Sequence, residues 1–113
     1  DLLVRRDREY GPAPVYIPEN GAAYHEQRAA DGIVHDERRI DYLRGHLAAV
    51  AQAIALGADV RGYFCWSLMD NWEWAMGYPP RFGLVHVDYA TGRRTIKDSG
   101  RYYASVIAAR GPR

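Results

Sequence analysis

The sequence has a single cysteine, Cys65, among its 113 residues, so it cannot form an intramolecular disulfide. A lone cysteine is typical of proteins from a reducing compartment, and we expect a cytoplasmic location. The sequence also lacks any apolar run near the roughly 18 residues that a transmembrane helix needs. We therefore expect neither a disulfide-rich secreted protein nor a membrane protein.

An excess of charge of one sign is absent as well. Lysine and arginine number 15 against 14 aspartates and glutamates, which gives a formal net charge of +1. Nucleic acids and anionic membranes attract strongly basic surfaces, so neither is an expected partner. The four histidines are scattered without the spacing of metal ligands. We expect no metal site and no cofactor.

The first 21 residues read as a helix followed by a strand. Residues 1–11 have apolar positions followed by charges, and Gly11 stands where a helix end favours a left-handed residue. A helix without a preceding segment indicates that the chain begins within an element. The β-branched and aromatic run 15–17, VYI, predicts a buried strand that ends at Pro18-Glu19-Asn20-Gly21.

The rest of the sequence alternates in the same way. Asp36 is the predicted N-cap of a long helix that ends at Gly57, and one apolar face of that helix is formed by Ile40, Leu43, Leu47, Val50 and Ile54. Residues 58–66 predict a second strand. Residues 82–89 and 93–96 predict a hairpin, and Ser99 is the predicted cap of a last helix that runs to residue 109.

Strands that alternate with helices favour parallel strands joined by right-handed crossovers. In a (β/α)₈ barrel, the carboxyl ends of such strands carry the active site. Two parallel strands cannot close a barrel, which has eight strands and about 250 residues. We therefore expect an α/β fold in which residues 1–113 either pair with more protein or form a fragment of one barrel domain.

Glu19 is the first candidate for chemistry. A carboxylate at the end of a strand is held rigidly, and a nucleophile needs that rigidity because misplacing it by about 1 Å is costly. Asn20-Gly21 is a pair that favours tight turns. From spacing alone, a solvated turn residue is an equally good interpretation.

The segment 62–78, GYFCWSLMDNWEWAMGY, interleaves three tryptophans with acidic and amide residues. Sugars suit such a surface for two reasons. A pyranose has an apolar face that stacks on an indole ring, and its hydroxyls donate hydrogen bonds to carboxylates. The alternative is that the tryptophans pack inward while Asp70 and Glu73 are solvated. We favour inward packing for Trp72 and sugar binding for Trp66, Glu73 and Trp74.

Two separate motifs resemble glycoside hydrolase family 1. VYIPENGAA (15–23) and VRGYFCWSLMDNWEWAMGYPPRFGLVHVDY (60–89) occur in the family's order and separation, and the likeness continues to KDSGRYY (97–103). The family comprises retaining β-glucosidases, β-galactosidases and 6-phospho-β-glycosidases on a (β/α)₈ barrel, and the nearest likeness is to bacterial β-glucosidases. The resemblance implies that residues 1–113 are the C-terminal portion of that barrel, with two parallel strands, flanking helices and a β-hairpin.

The resemblance also implies roles for individual residues. Glu19 matches the catalytic nucleophile, and Trp66 matches the tryptophan that stacks under the sugar. Glu73 resembles the residue that binds the 4- and 6-hydroxyls, Trp74 the donor to the 3-hydroxyl, and Phe82 an aromatic of the same subsite. The implied partners are a β-glucoside or oligosaccharide substrate and the remainder of the barrel.

This sequence departs from the family pattern in two ways. Pro18 stands where the family usually has threonine, which removes a hydroxyl and a backbone N–H beside Glu19. The Asn-Glu-Pro motif that carries the family's acid/base glutamate is absent from residues 1–113. We therefore expect the chain alone to be inactive. A non-catalytic carbohydrate-binding module and a fragment that completes a split barrel with another chain remain alternatives.

Overall fold

Two parallel strands joined by a long helix form the centre of the molecule. The computed structural model describes residues 2–112, and its elements follow the predicted order of helix, strand, helix, strand, hairpin and helix. They are α1 Leu2–Tyr10, β1 Val15–Asn20, α2 Glu37–Ala55, β2 Val60–Cys65, β3 Val85–Val87, β4 Arg94–Ile96 and α3 Asp98–Ala109, with a 3₁₀ turn at Trp74–Met76. Within residues 2–112, none of the helices is both long and apolar enough to cross a membrane.

β1 and β2 pair in parallel, as the alternation of strands and helices predicted. Val15 is opposite Val60, Ile17 is opposite Tyr63, and Asn20 is opposite Cys65. The register shifts between Ile17 and Asn20, which indicates a local irregularity just before the end of β1. Both strands therefore end at the same edge, and the loops that follow them lie side by side.

The two faces of this small sheet differ in what covers them. On one face, Tyr63 and Cys65 of β2 pack with the helices against a core cluster formed by Leu43, Leu47, Leu84 and Val106. On the other face, Tyr16 and Phe64 lie beside Gly62 and remain 59% and 58% exposed. One face is thus a hydrophobic core, and the other is open.

The ends of three elements differ in detail from what the sequence indicated. β1 extends to Asn20, so Glu19 belongs to the strand rather than to the turn after it. Ser99 does not cap α3, because α3 begins at Asp98 and Lys97 occupies the N-cap position. Asp36 does occupy the N-cap position of α2, but its side chain makes no capping hydrogen bond there.

The carboxylate of Asp36 instead stabilises the start of α3. It accepts a hydrogen bond from the backbone N–H of Ser99 at 2.8 Å and another from the Ser99 hydroxyl. The first N–H groups of a helix have no partner inside it, so a carboxylate there satisfies one of them and interacts favourably with the helix dipole. Asp36 thereby links the beginnings of α2 and α3.

Candidate active site

Glu19 lies on β1, one residue before the strand ends. Asn20 follows it, and the Asn20 side-chain oxygen accepts a hydrogen bond from the hydroxyl of Tyr63 at 2.7 Å on the helix-covered face. The irregularity of β1 between Ile17 and Asn20 breaks the strict alternation that would place Glu19 on the same face as Ile17, and the Glu19 side chain is not covered by the helices. Glu19 is exposed, and its carboxylate makes no hydrogen bond or ion pair within residues 2–112. The carboxylate is therefore free to meet a substrate from the open side.

Trp66 lies next to Asn20, the last residue of the strand that carries Glu19. Its backbone N–H donates to the carbonyl of Asn20 at 2.9 Å, and its side chain is 37% exposed. The next residue is anchored: the Ser67 hydroxyl donates to the carbonyl of Met69 at 2.8 Å and accepts from the side-chain N–H of Asn71 at 2.9 Å. The Trp66–Ser67 peptide bond is cis.

Gly21 permits this close approach of the two loops. A Cβ atom at Gly21 would lie 1.8 Å from the carbonyl oxygen of Trp66, a distance at which two atoms cannot coexist. The sequence predicted a turn at Asn20-Gly21. Glycine is required there because the backbone of Trp66 approaches Gly21 closely. Such a contact between distant parts of the chain cannot be read from the local sequence.

Phe82 is held beside Trp66 through its backbone. Its carbonyl accepts a hydrogen bond from the N–H of Ser67 at 3.2 Å and a second from the guanidinium group of Arg39, also at 3.2 Å. Glu19, Trp66 and Phe82 are therefore connected through neighbouring residues by short backbone contacts. The structure brings these three predicted site residues to one edge of the sheet.

Glu73 and Trp74 lie on a separate tight turn. The N–H of Glu73 donates to the carbonyl of Gly77 at 2.8 Å, and Trp74 adopts a positive φ of 41°. Trp74 is 81% exposed, and the Glu73 carboxylate has no hydrogen-bond partner among the described residues. Both side chains are thus available to a ligand.

The expectation that Trp72 packs inward was wrong. It remains 54% exposed, and its ring meets the ring of Tyr78 edge-on at a centroid distance of 5.0 Å. Tyr78 in turn packs on Tyr89, whose ring lies 4.8 Å from the guanidinium carbon of Arg81. Trp72 is therefore one end of an aromatic row that runs along the loop after β2.

Asp70 is buried, contrary to the alternative in which it was solvated. Its carboxylate accepts hydrogen bonds from Arg81 at 2.5 Å, from Lys97 at 3.0 Å and from the N–H of Gly83 at 3.0 Å. Burial alone raises the pKa of Asp70, but the charge of Lys97 and the hydrogen bonds from Arg81 and Lys97 outweigh it, so the pKa is lowered overall. Asp70 is therefore a structural anion under the loop.

This ion pair is part of a larger buried network that the sequence analysis missed. Lys97 also donates to Glu26 at 2.5 Å, and Glu26 accepts from Arg39 at 2.5 Å. With Asp36, the network contains three carboxylates (Asp36, Glu26 and Asp70) and three cations (Arg39, Arg81 and Lys97). The only signals were that Asp70 and Arg81 lie in the family-like segment 60–89 and that Lys97 opens the family-like segment KDSGRYY. The network joins both loops that carry site residues to the beginnings of α2 and α3.

The site consists of carboxylates, aromatic rings and backbone groups. Across residues 2–112, no group of three or more histidine, cysteine, aspartate or glutamate side chains is placed to hold a metal ion. An exposed carboxylate at the end of a parallel strand, beside an exposed indole, is suited to a ligand that has both an apolar face and polar groups.

Comparison with known proteins gives the family directly. The family model described as glycosyl hydrolase family 1 matches residues 1–112, and the chain belongs to this family. Beta-glucosidase A of Thermotoga maritima is 50% identical over 110 residues, which cover 97% of this chain and 25% of that protein. Beta-glucosidase 4 of rice, Oryza sativa subsp. japonica, is 49% identical over 109 residues, which cover 94% of this chain and 23% of that protein.

A solved structure agrees in three dimensions as well as in sequence. The family 1 β-glucosidase from Thermotoga maritima in complex with isofagomine lactam superposes with a TM-score of 0.96 and 49% identity. The match covers 99% of this chain and 26% of that one. The chain thus spans about a quarter of the length of the relatives that it matches.

Proposed function

We propose that residues 1–113 are the C-terminal portion of a single (β/α)₈ barrel domain in a larger β-glucosidase, called the full-length enzyme below. The reaction is hydrolysis of terminal β-D-glucosidic bonds with retention of configuration. The observation that carries this proposal is the exposed carboxylate of Glu19 next to Asn20, the last residue of β1, whose carbonyl accepts a hydrogen bond from the backbone N–H of Trp66. The names of the most similar relatives support the same substrate class.

Glu19 is the nucleophile in this proposal. Its carboxylate oxygen attacks the anomeric carbon, and the glycosidic C–O bond breaks as a second carboxyl group protonates the leaving oxygen. Water then cleaves the glycosyl ester, and the same second group accepts the proton of that water. The exposure of Glu19 supports this role, because its carboxylate is accessible to a substrate.

The other predicted site residues bind the sugar. Trp66 is the stacking platform, and Phe82 lines the same subsite. Glu73 accepts from the 4- and 6-hydroxyls, and Trp74 donates its indole N–H to the 3-hydroxyl. The exposure of Trp66 and Trp74 and the unpartnered carboxylate of Glu73 support these roles, since each group is available to a ligand.

The second carboxyl group must come from the remainder of the barrel. Residues 1–113 contain no Asn-Glu-Pro motif. The open face of the sheet carries exposed Tyr16 and Phe64, and it continues into an apolar groove of about 410 Å³ whose lining includes Leu68, Ile96 and Ile107. Exposed apolar surface of this kind is typical of an interface. We propose that the missing barrel strands cover this face.

The test compares the isolated chain with the full-length enzyme on an aryl β-glucoside. We expect turnover with retained configuration by the full-length enzyme, almost none by its Glu19→Gln variant, and none by residues 1–113 alone. General acid help is typically worth about 10² to 10⁴ in rate, and lost positioning adds to that. Turnover by the isolated chain that Glu19→Gln abolishes would show that the chain is catalytically complete.

A non-catalytic carbohydrate-binding module is the second candidate, and the exposure of Trp72 and Trp74 favours it. Sugar binding by the isolated chain that survives Glu19→Gln would support this candidate over the first. A fragment that completes a split barrel with another chain would be supported by co-purification of a separate chain carrying the acid/base glutamate. The half-buried thiol of Cys65 fits the reducing cytoplasmic location that we propose.

A further inference from the structure

The guanidinium group of Arg39 lies between the loops that follow β1 and β2. Arg39 is in the first turn of α2 and is only 1% exposed. All five N–H donors of a guanidinium group are used here. Nε donates to Asp36 at 3.0 Å, Nη2 donates to Glu26 at 2.5 Å and to the carbonyl of Arg81 at 2.8 Å, and Nη1 donates to the carbonyls of Phe82, at 3.2 Å, and Ala22.

Three of these acceptors are backbone carbonyls from the two site loops. Ala22 follows Glu19 by three residues, and Phe82 is itself a predicted sugar-binding residue. The Phe82 carbonyl also accepts from Ser67, the residue after Trp66. Backbone carbonyls cannot be moved by side-chain rotation, so one rigid group fixes the separation of two stretches of main chain.

The shape and charge of arginine suit this task. The guanidinium fork is planar and presents its donors in fixed directions, whereas a lysine ammonium presents three donors at one point. The carboxylates of Asp36 and Glu26 flank the group and balance its buried charge. Arg39 is thus held in one orientation, and it holds both loops in turn.

We propose that Arg39 is a positioning residue that sets the separation between the nucleophile Glu19 and the sugar platform formed by Trp66 and Phe82. This inference rests on the proposed function, because it assigns Arg39 to the same site. Arg39 touches neither the sugar nor the reacting atoms. A shift of about 1 Å in the reacting groups costs about 100-fold in rate. Weakening the hydrogen bonds from Arg39 to the two loops should therefore slow the chemical step.

The test is Arg39→Lys in the full-length enzyme. Lysine keeps the positive charge but cannot serve all of the loop carbonyls. We expect kcat to fall about 100-fold while KM changes less than about threefold, since misalignment of Glu19 with the anomeric carbon raises the energy of the transition state more than that of the bound substrate. The matched control is Leu47→Ala, which removes core packing without removing a hydrogen bond and lowers the melting temperature. Its kcat per folded active site should stay within about twofold of the wild-type value.

Asp36→Asn is the second variant, for the case in which Arg39→Lys yields no folded enzyme. This variant keeps the guanidinium group of Arg39 but weakens the interaction with residue 36 that orients it. We expect kcat to fall about tenfold at nearly constant KM. A kcat loss no larger than that of Leu47→Ala, in whichever variant folds, overturns the positioning role while leaving the proposed function intact. A wild-type full-length enzyme that does not hydrolyse β-glucosides removes the proposed function and this inference together.

Discussion

The backbone N–H of Trp66 donates to the carbonyl of Asn20 at 2.9 Å, so the loop after β2 starts against the end of the strand that carries Glu19. This contact depends on Gly21, because any side chain there would overlap the Trp66 carbonyl oxygen. The proposed nucleophile and the proposed sugar platform are therefore positioned relative to each other by main chain, and we expect their geometry to be sensitive to a single methyl group at Gly21.

Gly21→Ala should separate the two loops. The added Cβ would lie 1.8 Å from the Trp66 oxygen, so the backbone must move. We expect a destabilisation of about 1–3 kcal/mol and a fall in kcat of about 100-fold in the full-length enzyme. Steady-state kinetics on an aryl β-glucoside and urea unfolding measure the two effects.

Gly45→Ala is the matched control for this substitution. Gly45 lies inside α2, and a Cβ there meets nothing within 4 Å. Alanine should stabilise the helix by about 0.5–1 kcal/mol and leave kcat unchanged. Equal kinetics for the two alanine variants would contradict the close-approach explanation of Gly21.

Asp70→Asn should be strongly destabilising. The substitution leaves Arg81 and Lys97 with less negative charge in a buried site, and breaking a buried ion pair typically costs about 3–5 kcal/mol. Asp41→Asn is the control, because Asp41 pairs with Arg44 on the exposed face of α2 and should change stability by less than about 1 kcal/mol. The two variants are compared by the urea concentration at which half of the protein is unfolded at pH 7. Similar midpoints would be inconsistent with a structural role for Asp70.

His35 should give the contact between its loop and α3 a pH dependence. The ring nitrogens of His35 hydrogen-bond to the carboxylates of Asp31 and Asp98, which accept and so raise the pKa of His35 above the usual 6.5. Because the folded state binds the proton more tightly, this stabilisation is complete below about pH 6.5 and is lost as pH rises through the folded pKa. An NMR titration of the His35 ring should show the raised midpoint, and Asp31→Asn should lower it. A midpoint at or below 6.5 in the wild-type protein would refute the pairing.

The full-length enzyme should prefer non-phosphorylated sugars. In the proposed site, Glu73 faces the 4- and 6-hydroxyls, and a 6-phosphate would bring about −1.5 to −2 charges against this carboxylate. Such repulsion amounts to several kcal/mol at short range, so kcat/KM for the glucoside should exceed that for the 6-phosphoglucoside by about 100-fold or more. Glu73→Gln should reduce the ratio of kcat/KM for the glucoside to kcat/KM for the 6-phosphoglucoside. A preference for the phosphorylated substrate would overturn the assignment of Glu73.

Periodicity was sufficient to predict the order of elements and their type. The apolar stripe through Leu43 and Leu47 is the buried face of α2, although Ile54, assigned to the same stripe, is exposed. Period-two and β-branched runs likewise indicated β1, β2 and the hairpin. These patterns are local, so they can be read without knowledge of tertiary contacts.

The buried network could not be predicted in this way. Glu26, Arg39, Asp70 and Lys97 are far apart in sequence, and charged residues are usually solvated. Only the parallel pairing of β1 and β2 and the packing of α2 against α3 bring the four together. Gly21 illustrates the same limit, since its neighbour Trp66 comes from the loop after β2, which is far from Gly21 in sequence.

The identity of the nucleophile is the central claim, and covalent labelling tests it most directly. A 2-deoxy-2-fluoro glucoside should acylate the full-length enzyme slowly, and digestion with mass spectrometry should locate the label on Glu19 within the peptide that contains IPENG. Glu19→Gly should lose nearly all turnover and regain part of it with azide, yielding the inverted glycosyl azide. A label on Asp70 or Glu73, or near-normal turnover by Glu19→Gly, would contradict the assignment.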